Sequence, residues 1–357
     1  MHGVPVSIKD SFNYVGVAST IGFVAFLDKP LPTTNSGLVD ILLDLGAILY
    51  CKTNIPQSLM TGDSDNNVFG RVMNPHKLKL GAGGSSGGEG ALVAMRGSLL
   101  GVGTDIGGSI RIPALCCGTY GFKPSTHRVP YGGQTGPGRK GSPGFPAVAG
   151  PLATSFEDMH FFTRHVLEAK PWNSDATALA IPWRTYVANS ILPQVRIGYM
   201  KEDKDFPIHP PVARALETAV KALTAAGFTV IPLTEFPSMK TGLDIATDSF
   251  SLDNKKVWLK NIEAGGEPII ESLKRTIWTV SKKPEGYSSD DIFDLNAAKL
   301  DYKAAWNSVF VQNKLDVILC PGAPNTAMPH DNYGAPPYTA TFNALEVSWL
   351  ADLYSLD

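Results

Sequence analysis

The stretch from Val102 to Ala114, VGTDIGGSIRIPA, sets one serine, Ser109, behind two glycines and between two charges, Asp105 and Arg111. Acyl transfer develops an oxyanion, and preorganised N–H donors in a dry site stabilise it. Glycine tolerates the dihedrals that turn successive N–H groups toward one point. Ile106, Gly107, Gly108 and Ser109 are therefore candidate oxyanion donors, with Ser109 the candidate nucleophile. A helix expected to begin near Ser109 adds its positive end at the same place. Such a serine needs a base, and a buried lysine can serve because desolvation lowers its pKa. Lys9, ending an apolar strand beside Asp10, is the candidate. On its own a lone strand-end lysine is more often a solvated surface residue.

A second serine pair lies upstream in GAGGSSGGEG, Gly81 to Gly90. A phosphate-binding loop would end in Gly-Lys-Ser/Thr, and none is present. The dinucleotide spacing puts its third glycine on Ser86 and fails. A G-x-S-x-G elbow fits around both Ser85 and Ser86. That reading would ask for a histidine partner among His127, His160, His165, His209 and His330, and for a strong strand before the serines. HKLKLGAGG is a weak one. A plain glycine-rich helix entry is the competing reading.

The elements that must position these residues follow from periodicity. VPVSIK alternates apolar and polar as a strand does. Asn35 can cap a helix through SGLVDILLDLG that closes at Gly46, and AILYCKT follows as a strand. SSGGEGALVAMRGS opens a helix, and LLGVGTD is a buried strand running into Ser109. Further on, PQVRIGYM, FTVIPL and LDVILCPG read as strands. PPVARALETAVKALTAAG reads as an amphipathic helix with proline at its start. Ser289 caps a long helix in which Ile292, Leu295, Tyr302, Trp306 and Phe310 recur at helical spacing. YGGQTGPGRKGSPGFP is an exposed loop. Alternating strands and helices with continuous apolar strand cores predict one α/β domain with a mostly parallel or mixed central sheet.

Composition excludes several classes. At 357 residues, 43% hydrophobic and 18% charged, the chain has a globular composition and ample core. A net charge of −2 with no basic stripe argues against a nucleic-acid partner. Cys51, Cys116, Cys117 and Cys320 have no metal-ligand spacing, so they are expected as packed thiols in a reducing compartment. MHGVPVSIKD is not a secretory leader, and no run approaches the ~18 apolar residues of a membrane span. A cytoplasmic location is the expectation.

Taken together, GVPVSIKD, GGSSGGEGALVA and GVGTDIGGSIRIPA…CGTYGFKP resemble the amidase signature family. TGDSDNNVFGRVMNPHK and PYGGQTGPG resemble its fungal acetamidase branch and, more distantly, fatty acid amide hydrolase. The likeness is dense from Gly3 to about Pro151 and thinner through LDVILCPGAPN and YTATFNAL. It implies the amidase-signature fold, a mixed central sheet with helices on both faces, and a Ser–cis-Ser–Lys triad. By motif position Ser109 would be the nucleophile, Ser85 the bridging serine after a cis peptide, and Lys9 the base. The oxyanion donors would be Ile106, Gly107, Gly108 and Ser109, with Ser86, Asp105, Arg111 and Thr104 supporting the site. The activity implied is hydrolysis of a small-molecule amide without metal or cofactor. The same acyl-enzyme could instead pass its acyl group to an amine, or serve as the glutaminase subunit of an amidotransferase. Residues 1–357 are expected as a single such domain, lacking the family's N-terminal helical segment and the last part of its C-terminus. Those missing ends would suit a homodimer or a non-catalytic assembly module. THRVP places His127 where the family usually carries glycine. In ATDSFSLDNKKVWLKNIEAGG, Phe250, Leu252 and Trp258 would line an apolar acyl pocket or simply fill a core.

Overall fold

The computed structural model describes residues 1–185, 195–276 and 282–351. Its main sheet has six strands: β1 (Pro5–Lys9), β2 (Ile48–Thr53), β3 (Leu100–Asp105), β4 (Tyr120–Lys123), β5 (Val148–Ala153) and β9 (Trp349–Ala351). Their order is β2-β1-β3-β5-β4-β9. The first three run parallel, and β5, β4 and β9 join antiparallel, so the sheet is mixed.

Period-two alternation in β1 decides what the sheet presents on each side. Val6 and Ile8 enter a core with Leu38, Leu42, Phe162 and Val166 from α1 (Gly37–Asp44) and α4 (Phe156–Glu168). Ser7 and Lys9, also fully buried, meet the opposite layer. That layer is α2 (Gly87–Ala94) and α3 (Arg111–Cys117), which pack on β3 and β5 through Val93, Ile110, Ala114 and Leu152. Cys116 and Cys117 are buried, free thiols in this layer, as their apolar surroundings predict.

Three later strands, unlike β9, form a sheet of their own instead of extending the main one. Among the described residues β6 (Arg196–Tyr199), β7 (Thr229–Pro232) and β8 (Val317–Leu319) form a separate parallel sheet ordered β7-β6-β8. Pro193 and Gln194, the start of the expected strand, lie outside the described residues. The helices joining this part are α5 (Pro210–Ala225), α6 (Met239–Phe250), α7 (Val257–Ala264), α8 (Glu271–Lys274) and α9 (Ser289–Asn313). A wholly buried helix, α10 (Pro337–Ala344), carries the second core back toward the main sheet, through Tyr338, Phe342 and Trp306.

Two caps differ from the sequence reading by one residue. Ser36, not Asn35, precedes α1, because the Asn35 carboxamide oxygen accepts from Val15 N–H at 2.8 Å. Ser288, not Ser289, caps α9, because only from 288 does an acidic residue fall three places on. Asp291 completes that capping box. His127 adopts φ +62°, a left-handed backbone that glycine takes without strain. The exposed loop from Tyr131 is pinned at its far end by Phe145, 5% exposed, edge-on to Phe250 at 5.3 Å.

Candidate active site

Lys9, Ser85, Ser86, Thr104 and Ser109 converge where β1 and β3 end beneath α2. The Lys9 Nζ donates to Ser85 Oγ at 2.7 Å and to Thr104 Oγ1 at 2.8 Å. Its contact with the Thr104 carbonyl is longer, 3.4 Å. The side chain is fully buried, and burial drives its pKa down to about 7, against the opposing pull of Asp105 and Glu89. The Gly84–Ser85 peptide is cis.

Ser86 ties this corner together. Its N–H donates to the Ser109 carbonyl at 3.0 Å, and its hydroxyl bridges the N–H and carbonyl of Thr104, both at 3.3 Å. Gly103 makes the approach possible, since a Cβ there would stand 2.7 Å from Ser86 Oγ. No hydrogen bond joins the hydroxyls of Ser85 and Ser109 among the described residues. Such links in unliganded sites often close only around a substrate.

Asp105 organises the turn that holds Ser109. One carboxylate oxygen accepts from Gly108 N–H (2.9 Å) and the other from Ile110 N–H (3.1 Å). Arg111 clamps both oxygens through Nε at 3.0 Å and Nη2 at 2.9 Å, with both side chains fully buried. Burial alone would push the Asp105 carboxyl up. The Arg111 charge, with Lys123 and the Asn343 amide, holds it well below the ordinary carboxylate range. Lys123 is itself buried, which drives its pKa down to about 7.

The Gly108 N–H, expected from sequence as an oxyanion donor, is given to Asp105 in this structure. Gly108 contributes instead its φ of +134°, which lets the chain turn there. Ile106, Gly107 and Ser109 line the cleft beside this turn, where their N–H groups remain the candidate donors. That cleft is walled by Ile106, Gly107 and Ser109 with Ile112, Phe250 and Tyr333. Of the residues considered for an acyl pocket, Phe250 does line it, whereas Trp258 packs against a core around Phe23 and Ile262.

Three contributors were missed from sequence. Glu89, four residues past Ser85, is fully buried and accepts from Ser7 Oγ at 2.5 Å and Thr53 Oγ1 at 2.6 Å. Asn343 on α10 donates to Asp105 at 2.9 Å and accepts from Arg111, and Thr339 Oγ1 donates to the Gly107 carbonyl at 2.7 Å. Glu89 could have been noticed as a lone acid in an otherwise small-residue run. The α10 pair lies within YTATFNAL, where only the thin family likeness marks it. Three of the five histidines that a G-x-S-x-G elbow could use are engaged elsewhere: His127 on the Thr177 carbonyl, His165 on that of Phe161, His330 on that of Leu78. No histidine is hydrogen-bonded to Ser85, Ser86 or Ser109 among the described residues.

A family model described as Amidase matches residues 1–355. The chain belongs to the amidase family. It is 39% identical over 348 residues to "Amidase" of Gibberella moniliformis, covering 97% of this chain and 65% of that one. It is 34% identical over 357 residues to "Acetamidase" of Emericella nidulans, covering 97% and 64%. The chain thus spans just under two thirds of the length of these fungal amidases. The structure of "Fatty acid amide hydrolase" superimposes with a TM-score of 0.92 at 34% identity, covering 98% of this chain and 61% of that one. A bacterial aryl acylamidase, 24% identical with a TM-score of 0.76, shares the amidase fold. No helix among the described residues is long and apolar enough to cross a membrane.

Proposed function

We propose that this amidase-family chain hydrolyses a carboxamide bond through a seryl acyl-enzyme, with Ser109 as nucleophile, Ser85 as proton relay and Lys9 as base. The observation that carries this reading is a fully buried lysine, poised near neutrality, in hydrogen-bond contact with Ser85 beside the Ser109 turn.

In the first step neutral Lys9 accepts a proton from Ser85 as Ser85 takes one from Ser109. The Ser109 oxygen bonds to the carbonyl carbon. Negative charge moves onto the carbonyl oxygen, where the N–H groups of Ile106, Gly107 and Ser109 receive it. The C–N bond then breaks. Lys9 returns its proton through Ser85 to the departing nitrogen, because an amide anion is too basic to leave unprotonated. Water, losing a proton along the same relay, attacks the ester and frees Ser109. Asp105 takes no proton in this scheme. Held anionic by Arg111, it fixes the turn from which the donors project.

Ile106, Ile112 and Phe250 give the cleft apolar walls, which suits an apolar or aryl acyl group on a small-molecule amide. The names of the similar proteins, acetamidase and fatty acid amide hydrolase, point to linear amides in the same way.

A fluorophosphonate serine probe tests the reading, with the modified peptide mapped by mass spectrometry. Label on Ser109, lowered by about 10²–10⁴-fold in rate in Lys9→Ala, is the expected result. Label on Ser85 or Ser86, or none on folded protein, overturns it.

A further inference from the structure

We propose that Glu89 is a positioning residue of this site, one that fixes the Lys9 strand against Ser85 and sets the charge Lys9 carries. The inference rests on the reading of Lys9 as the base.

The geometry is a clamp. Glu89 lies in the first turn of α2, the helix that Ser85 and Ser86 lead into. Its two carboxyl oxygens divide between two strands: one takes the Ser7 hydroxyl of β1, the other the Thr53 hydroxyl of β2. Ser7 precedes Lys9 by two places on the same face of β1, and Thr53 is the register partner of Lys9 itself. One helix therefore delivers Ser85 and also grips both strands that frame the lysine. The third strand makes room, since a Cβ on Gly101 of β3 would stand 2.2 Å from a Glu89 oxygen. A buried carboxyl with two hydroxyl partners beneath a buried lysine is more than packing requires, because an apolar residue would fill the space without desolvating charge.

The electrostatics run in the same direction. Burial raises the Glu89 carboxyl to about 7, against the opposing hydrogen bonds of Ser7 and Thr53 and the charge of Lys9. A Glu89 carboxylate favours protonated Lys9, and a neutral Glu89 favours the free amine. Asp105 on β3 is anionic and paired with Arg111 of α3, and Lys52 on β2 is paired with Asp10 at 3.2 Å. The Tyr50 phenol and Cys51 thiol on β2 are both raised by burial, and the Tyr131 phenol is pushed up to about 12. Glu89 is thus the neighbour able to change the charge facing Lys9 in the range where the base must work.

The test is the pH dependence of fluorophosphonate labelling of Ser109 in wild type, Glu89→Gln and Thr53→Val. Glutamine keeps the shape and removes the charge that raises the Lys9 pKa, so the acid limb should move down by roughly one pH unit. Thr53→Val removes a hydrogen bond that holds Glu89 anionic, so its limb should move the same way. It should move no further in the Glu89→Gln background. If Glu89→Gln does not fold, Thr53→Val carries the test alone. A uniform fall in rate with an unmoved limb would overturn the proposal and leave Glu89 as packing. A wild-type limb that Lys9→Ala does not abolish would instead remove the base role beneath it.

Discussion

On the proposed mechanism, with Lys9 as base, the charge state of Lys9 sets what this site can do at a given pH. Only the free amine can accept the Ser85 proton, and its pKa of about 7 lies near working pH. Amide turnover should therefore rise as pH climbs through about 7 and fall as pH drops below it, whichever amide is used. A kcat/KM profile on a p-nitroanilide would show this, and a flat acid side would contradict it. Asp105 makes a different demand. It is fully buried, and its partner Arg111 is equally enclosed, with the guanidinium 4.8 Å over the Trp349 ring. Asp105→Asn leaves that cation uncompensated, which should cost about 3–5 kcal/mol of stability. Urea unfolding of the variant would read it as a lowered midpoint with little change in slope.

At the scale of elements, α2 is the part whose placement matters most, because it spaces Ser85 from Lys9. Gly88 seats it: the Gly88 N–H donates to the Asn54 carbonyl at 3.0 Å, and a Cβ there would stand 2.5 Å from that same backbone oxygen. Backbone cannot swing aside as a side chain can. Gly88→Ala should cost about 1–3 kcal/mol, seen as a lowered denaturation midpoint, and slow Ser109 labelling by shifting the helix. Much of this layer is legible in the sequence. The alternation of VPVSIK puts Lys9 under α2, and the glycines around Ser85, Gly103 and Ser109 announce close backbone approach. The separate sheet of β6, β7 and β8 is not legible, since strand pairing across long separations leaves no local periodicity. Gly108 misleads for a related reason. Its residue type promises a free N–H, and only the folded Asp105 carboxylate shows that the N–H is taken. Asn343 and Thr339 sit in an unremarkable helix whose partners are 232 positions away.

For the whole molecule, two buried lysines shape stability. Lys9 and Lys123 each fall from 10.5 in the unfolded chain to about 7 when folded. Above pH 7 the unfolded state therefore binds more protons, and stability rises with pH. The thiols of Cys117 and Cys320, raised from 9.0 to about 12, begin to oppose this near pH 9. Between pH 7 and 9 the unfolding free energy should climb, by at most about 1.4 kcal/mol per pH unit for each lysine. Urea midpoints at three pH values would check it, and a decline would refute the folded-state assignment of both lysines. The reach of α10 has a consequence in time. A ribosome releases Lys9, Ser85 and Ser109 long before it releases Thr339 and Asn343. Until then the Asp105 turn lacks two of its ties, so a growing chain holds Lys9, Ser85 and Ser109 with the turn incompletely secured. Synthesis must run past Asn343 before the Asp105 turn can lock.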